Sequence, residues 1–91
     1  MLKVSTTTKF ENETEVVRKR GKDMSKLGDI IKKLSAKEPL EKKHRNHKLK
    51  GNFKGRWECH IEPDWLLVYS KTDTEIVFER TGSHADLFKK G

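Results

Sequence analysis

The chain is poor in the features that usually brace or anchor a small protein. Its one cysteine, Cys59, cannot close a disulfide within the chain, and no second thiol exists to complete a thiolate zinc site of the usual kind. Stability must therefore come from packing. No apolar run approaches the roughly 20 residues that a membrane span requires. The opening, Met1 to Phe10, is polar and threonine-rich, unlike a secretory signal. A cytoplasmic protein without membrane contact is expected. Internal repeats, low-complexity stretches and linkers are also missing, and 91 residues suffice for one compact domain, 1–91, with a thin core.

Acidic residues are scarce in one stretch only. Residues 1–40 carry a net +4 (10 basic, 6 acidic), residues 41–56 a net +6 (7 basic, 1 acidic) and residues 57–91 a net −3 (4 basic, 7 acidic). The middle segment holds Lys42, Lys43, Arg45, Lys48, Lys50, Lys54 and Arg56, interleaved with His44, His47 and Phe53. A polyphosphate backbone is the natural counterpart of such a run, since each neutralised phosphate releases counterions. A plain solvated loop would carry the same charges, so the run alone does not decide the matter.

Hydrophobic spacing gives the layout. Leu2 and Val4 alternate with polar neighbours as in a short strand. Thr8 followed by Glu11 fits a capping box, and Phe10, Val16 and Val17 make a thin apolar stripe of helix up to Arg20. Gly21 breaks that helix and Asp23 can cap the next, in which Leu27, Ile30, Ile31 and Leu34 recur at helical spacing until Lys37-Glu38-Pro39. Trp57, Cys59 and Ile61 then alternate with Arg56, Glu58, His60 and Glu62, giving a strand with one apolar and one ionisable face. Trp65 to Tyr69 reads as a central strand and Glu75 to Thr81 as a third, with Ser83 capping a last turn through Leu87 and Phe88. The order predicts an α+β fold, β-α-α-β-β-β, with an antiparallel sheet and both N-terminal helices on one face.

Four residues could share one end of such a sheet: His47, His60, Asp64 and His84. Cutting RNA without a metal needs a base for the ribose 2′-OH, an acid for the departing 5′-oxygen and positive charge on the phosphate. Histidine can fill either proton-transfer role near neutral pH. Arg80 and the basic segment can supply the charge. His44 and His47, three residues apart with Glu58 or Asp64 nearby, could instead bind a transition metal, but the intervening Arg45 would repel a cation. Cys59 falls on the apolar side of its strand and reads as a buried hydrophobe, not a nucleophile.

Three blocks, H-x-L-x-G from His47, W-E-C-H-I-E-P-D-W-L-L-V-Y from Trp57 and F-E-R-T-G-S-H-A-D-L-F from Phe78, resemble the YafQ-type toxins of the RelE/ParE superfamily. Together they span His47 to Phe88, about half of the chain. The resemblance implies a RelE-like domain that cuts mRNA in the ribosomal decoding site by 2′-OH attack, leaving a 2′,3′-cyclic phosphate. It places His47, His60, Asp64 and His84 at the family's active-site positions, with Arg80 and the aromatic Phe88 beside them. Glu58 stands where relatives carry an acid, and Trp65 belongs to the motif while also reading as core. The expected roles are His84 as acid, His60 and Asp64 acting on the 2′-OH, His47 positioning or sharing the base role, and Arg80 on the phosphate. No cofactor or metal is expected. The implied partners are the ribosome with its mRNA and a cognate antitoxin whose acidic or apolar segment wraps the toxin. Operator DNA would be met only through the antitoxin complex. Two other readings remain: a ParE-like gyrase poison, which would not need the histidine set, and a non-catalytic RNA-binding module, for which the basic segment would suffice.

Overall fold

The computed structural model describes residues 1–88. Its elements are β1 (Lys3–Thr6), α1 (Thr8–Lys19), α2 (Met24–Ser35), a 3₁₀ turn at Lys42–His44, β2 (His47–Lys48), a second 3₁₀ turn at Gly51–Phe53, β3 (Trp57–Glu62), β4 (Trp65–Lys71), β5 (Glu75–Gly82) and α3 (His84–Phe88). The strands form one sheet in the order β1-β5-β4-β3-β2. From β2 to β5 every pairing is antiparallel, as the short connections require. β1 joins β5 in parallel, because its partner is not its chain neighbour and no hairpin dictates the direction. The two-residue β2, inside the basic segment, adds an edge strand that hydrophobic periodicity does not reveal.

Both long helices cover the same face. Phe10 and Val17 of α1 and Leu27, Ile30 and Leu34 of α2 pack on Cys59, Ile61, Trp65, Leu67, Tyr69, Ile76 and Phe78. On the opposite face Leu66 and Val68 meet Leu87 of α3, flanked by Leu49 and Phe53. Because it is covered on both faces, β4 is apolar without alternation. Burying each large aliphatic or aromatic side chain contributes roughly 1.5–3 kcal/mol. The buried Trp65 indole donates to Thr81 Oγ1 at 3.0 Å, and that hydroxyl donates to the Leu66 carbonyl at 2.8 Å, so its polar atom is satisfied.

Two local expectations are corrected. The α1 cap is Thr7, not Thr8: its extended backbone lets its hydroxyl accept from Phe10 N at 3.0 Å and donate to the Glu79 carbonyl at 2.9 Å, which ties the helix start to β5. Glu11 accepts from the Thr6 hydroxyl instead of closing a capping box. The ionisable face of β3 also ends earlier than alternation suggests. The register slips between His60 and Glu62, turning Glu62 toward α2, where it accepts from Lys22 and Lys26. Glu58 and His60 remain on the outer face. A second slip, between Val68 and Tyr69, leaves Glu79 as the extra residue of β5 and sets the facing of Arg80 and Thr81.

Candidate active site

Strand register builds the site. His47 pairs with Glu58, Glu58 with Val68 and Val68 with Arg80, so these four residues form one row across β2, β3, β4 and β5. His60, Leu66 and Gly82 form the next row. At a strand spacing of about 4.8 Å, His47 and Arg80 begin about 14 Å apart at their backbones. α3 starts directly after the second row and brings His84 over it.

The three imidazoles lie in sequence along this face. The rings of His47 and His60 are 6.4 Å apart, and those of His60 and His84 are 5.7 Å apart and meet edge-on at 66°. Glu58 Oε1 sits 3.5 Å from Nε2 of both His47 and His60. The side chains of Glu58 and His60 form the floor, only 7% and 12% exposed, whereas those of His47 and His84 are about half exposed. The site is thus an open groove with a buried carboxylate beneath it.

Backbone contacts orient the rings. His47 Nδ1 lies 2.6 Å from the Arg45 carbonyl, which can only accept, so this nitrogen carries the proton and the lone pair of the neutral ring belongs to Nε2, toward Glu58. Arg45 presents that carbonyl from a left-handed backbone, φ 44°. His44 Nδ1 likewise donates to the His60 carbonyl at 2.7 Å, fastening the basic segment to β3. His84 Nδ1 approaches Asp64 Oδ1 at 2.6 Å, and the His84 backbone N–H donates to the same oxygen at 2.9 Å. The His84 backbone N–H and then its ring hold the Asp64 carboxyl below the usual carboxylate range. Asp64 therefore pairs with His84 rather than with His60, to which the sequence reading had joined it.

α3 is fixed by a reciprocal cap. Ser83 N donates to Asp86 Oδ2 and Asp86 N donates to Ser83 Oγ. Asp86 also accepts from Arg20, which caps the end of α1, at 2.6 and 3.1 Å, and that guanidinium holds its carboxyl well below the carboxylate range. Gly82, at φ +150°, makes room for this carboxylate: a Cβ there would lie 2.8 Å from Asp86 Oδ2. Asp86 and Glu13 are supporting residues that the sequence does not single out, whereas His44, read there only within the basic run and as a possible metal ligand, serves as an anchor. The Ser-x-x-Asp spacing could have revealed Asp86, but nothing local marks Glu13.

The cations are less uniform than their spacing suggests. Arg80 makes a bidentate pair with Glu13 of α1 at 2.9 and 2.8 Å. Arg56 donates to Glu79 at 2.6 Å. Lys48 alternates with His47 and so lies on the helix-covered side, its ammonium 5.4 Å from the centre of the Trp57 ring, with Lys71 4.6 Å from the same ring. Lys42 and Lys43 occupy the first 3₁₀ turn, where Lys43 lies 3.6 Å from Glu41, while Lys50 and Lys54 flank the second. Phe88 is partly exposed and meets Phe53 edge-on at 5.5 Å. Trp65 is core, 1% exposed. Cys59 is fully buried, and burial, aided by Glu58, pushes its thiol up to about 12, which removes it as a nucleophile. Among the described residues no group of three or more His, Cys, Asp or Glu side chains is arranged to hold a metal ion. No helix among them is long and apolar enough to cross a membrane.

An outward-facing row of imidazoles and carboxylates on a five-stranded sheet, backed by two helices, defines an α+β protein equipped for proton transfer beside a basic segment. The profile of the family described as bacterial toxin of type II toxin-antitoxin system, YafQ, matches residues 2–89, and the chain belongs to that family. The mRNA interferase toxin YafQ of Escherichia coli K12 is 41% identical over 80 residues, 87% of each chain. A crystal structure of E. coli YafQ superposes with a TM-score of 0.92 at 36% identity, covering 97% of this chain and 99% of that one. YafQ in the E. coli DinJ-YafQ toxin-antitoxin complex superposes with a TM-score of 0.89 at 38% identity, covering 96% and 97%.

Proposed function

We propose that this toxin is an endoribonuclease that cuts messenger RNA in the ribosomal decoding site. The observation that carries the reading is the row of His47, His60 and His84 on one open groove, with Glu58 and Asp64 each set against a ring. The name of the E. coli relative, an mRNA interferase, supports the same substrate class.

In the proposed reaction a base takes the 2′-OH proton, O2′ attacks the adjacent phosphorus and the P–O5′ bond breaks. O5′ leaves with a proton from the acid, giving a 2′,3′-cyclic phosphate and a 5′-hydroxyl, with no net change in protons. His47 Nε2 and His60 Nε2 are the candidate bases. The imidazolium formed at either meets the Glu58 carboxylate at 3.5 Å. His84 is the acid, with its ring and tautomer fixed by Asp64 much as a buried aspartate orients a catalytic histidine. Arg80 meets the phosphate, and Lys50, Lys54, Lys42, Lys43 and Arg45 carry the flanking backbone. Phe88 offers an exposed ring on which a base can stack. All these steps run on side chains.

The E. coli relative was crystallised with the antitoxin DinJ. By the same reading, this toxin pairs with a small antitoxin whose acidic or apolar segment covers the cationic groove, and meets operator DNA only through that complex, in the cytoplasm.

Expression in bacteria with and without the neighbouring open reading frame, combined with mapping of mRNA 5′ ends, tests the function. New 5′ ends within translated codons, suppressed by the neighbour, are expected. Growth arrest without new ends would overturn it. Cleavage on purified programmed ribosomes kept in magnesium should persist when a chelator selective for transition metals is added, and its loss there would overturn the metal-free mechanism.

A further inference from the structure

The Arg80 guanidinium is held by a residue of a helix that carries none of the histidines. Glu13 Oε1 accepts from Arg80 Nε at 2.9 Å and Oε2 accepts from Nη2 at 2.8 Å, while the Thr81 backbone N–H donates to Oε1 at 3.3 Å. Both side chains are only 18% exposed. Nη2 also reaches the Asp86 carbonyl at 3.4 Å. One whole edge of the guanidinium is thereby occupied, and Nη1 is the nitrogen left to face a substrate. The other nearby carboxylates are committed, Glu79 to Arg56 and Asp86 to Arg20 and Ser83. Helix α1 is itself pinned to this strand, since Thr7 N donates to the Phe78 carbonyl at 3.1 Å and Thr7 Oγ1 to the Glu79 carbonyl at 2.9 Å.

We propose that Glu13 is the positioning residue for Arg80, so that α1 takes part in RNA cleavage by fixing the direction of the guanidinium toward the phosphate. The inference rests on reading the groove as a ribonuclease site. An arginine has a long, rotamer-rich stem, and a fork held along one edge loses little further freedom when its other nitrogen meets the phosphate. Glu13 also places a negative charge beside a cation meant for a phosphate, which weakens RNA attraction. Positioning therefore has a signature: removing the Glu13 charge slows cleavage without weakening binding.

The test is single-turnover cleavage and RNA affinity on programmed ribosomes for wild type, Glu13→Gln, Arg80→Lys and the double variant, each checked by thermal melting. Glu13→Gln keeps one acceptor but loses the bidentate fork. It should cut about ten- to a hundredfold more slowly, the range expected for a misdirected catalytic group, with affinity equal or higher. Arg80→Lys keeps the charge and loses the fork, and should also cut slowly. The double variant should be no slower than Arg80→Lys, because Glu13 acts through Arg80. Multiplicative losses, or Glu13→Gln cutting at or above the wild-type rate, overturn the proposal. Wild-type cleavage by Arg80→Lys would instead remove Arg80 from the ribonuclease mechanism itself, whereas slow Arg80→Lys with unaffected Glu13→Gln defeats only the role of Glu13. Should Glu13→Gln not fold, Glu13→Asp, which retains the charge one methylene back, decides: slowed cleavage at unchanged affinity supports positioning and wild-type cleavage overturns it.

Discussion

His84 meets Asp64 twice at a single oxygen, through ring Nδ1 at 2.6 Å and through the backbone N–H at 2.9 Å. The carboxylate thus fixes both the tautomer of the ring and the start of the helix that carries it. Because these contacts hold the Asp64 carboxyl below its ordinary range, it stays ionised wherever histidines titrate. Asp64→Asn should slow single-turnover cleavage by about a hundredfold, since the imidazole loses its direction. In a pH–rate profile the loss should be present throughout pH ~5–8, with no limb removed there, because Asp64 does not titrate in that window. A wild-type rate for Asp64→Asn would show that the ring needs no orientation.

Asp86 gives the fold a specific acid sensitivity. Its folded carboxyl lies far below the unfolded value near 4, chiefly through Arg20, so its contribution to stability is complete above about pH 4 and is lost as pH falls below that. Asp86→Asn should melt at a lower temperature than wild type at neutral pH, with the gap closing in melts taken below about pH 4. A gap independent of pH would mean that the charge contributes nothing.

Gly82→Ala combines two penalties. The residue would carry a side chain at φ +150°, and its Cβ would overlap the Asp86 carboxylate. A cost of about 1–3 kcal/mol is expected for the backbone alone, read as a lower denaturation midpoint, and displacement of α3 should slow cleavage as well. An unchanged midpoint would contradict the tight approach.

The helices and β4 were legible because burial imprints its own period: Leu27, Ile30 and Leu34 mark α2, and Trp65 to Tyr69 mark a strand covered on both faces. The alternation of β3 was legible only up to His60, since the slip that turns Glu62 toward Lys22 depends on pairing with β4, not on the strand itself. Charge spacing alone placed Arg56 and Lys48 with the RNA-facing cations. The fold pairs the first with Glu79 and sets the second on Trp57, on the other side of the sheet. The pairing of Glu13 with Arg80 spans 67 positions and leaves no local trace. That His47, His60, Asp64 and His84 could share one end of the sheet was legible from the strand order, and the resemblance added their expected roles. The distances between them follow from cross-strand register.

The separation of the two faces makes the lysines unequal. Lys50→Ala should weaken RNA association and reduce the slope of log affinity against log salt by about 0.7–1, the share of one phosphate. Lys48→Ala should change that slope less, because its ammonium sits over the Trp57 ring behind the groove. Equal slopes for the two variants would place both lysines on the RNA.

The most direct measurement compares cutting with holding in His84→Ala. Histidine acid-base catalysis contributes about a hundred- to ten-thousandfold in rate, while one half-exposed imidazolium beside a segment of seven cations is about one phosphate contact among several. On programmed ribosomes, His84→Ala should lose cleavage by that factor, and toxicity with it, while affinity falls no further than the loss of one such contact. Full cleavage by the variant, or weakened binding with normal cutting at saturation, would contradict the assignment of this groove as a ribonuclease site with His84 as its acid.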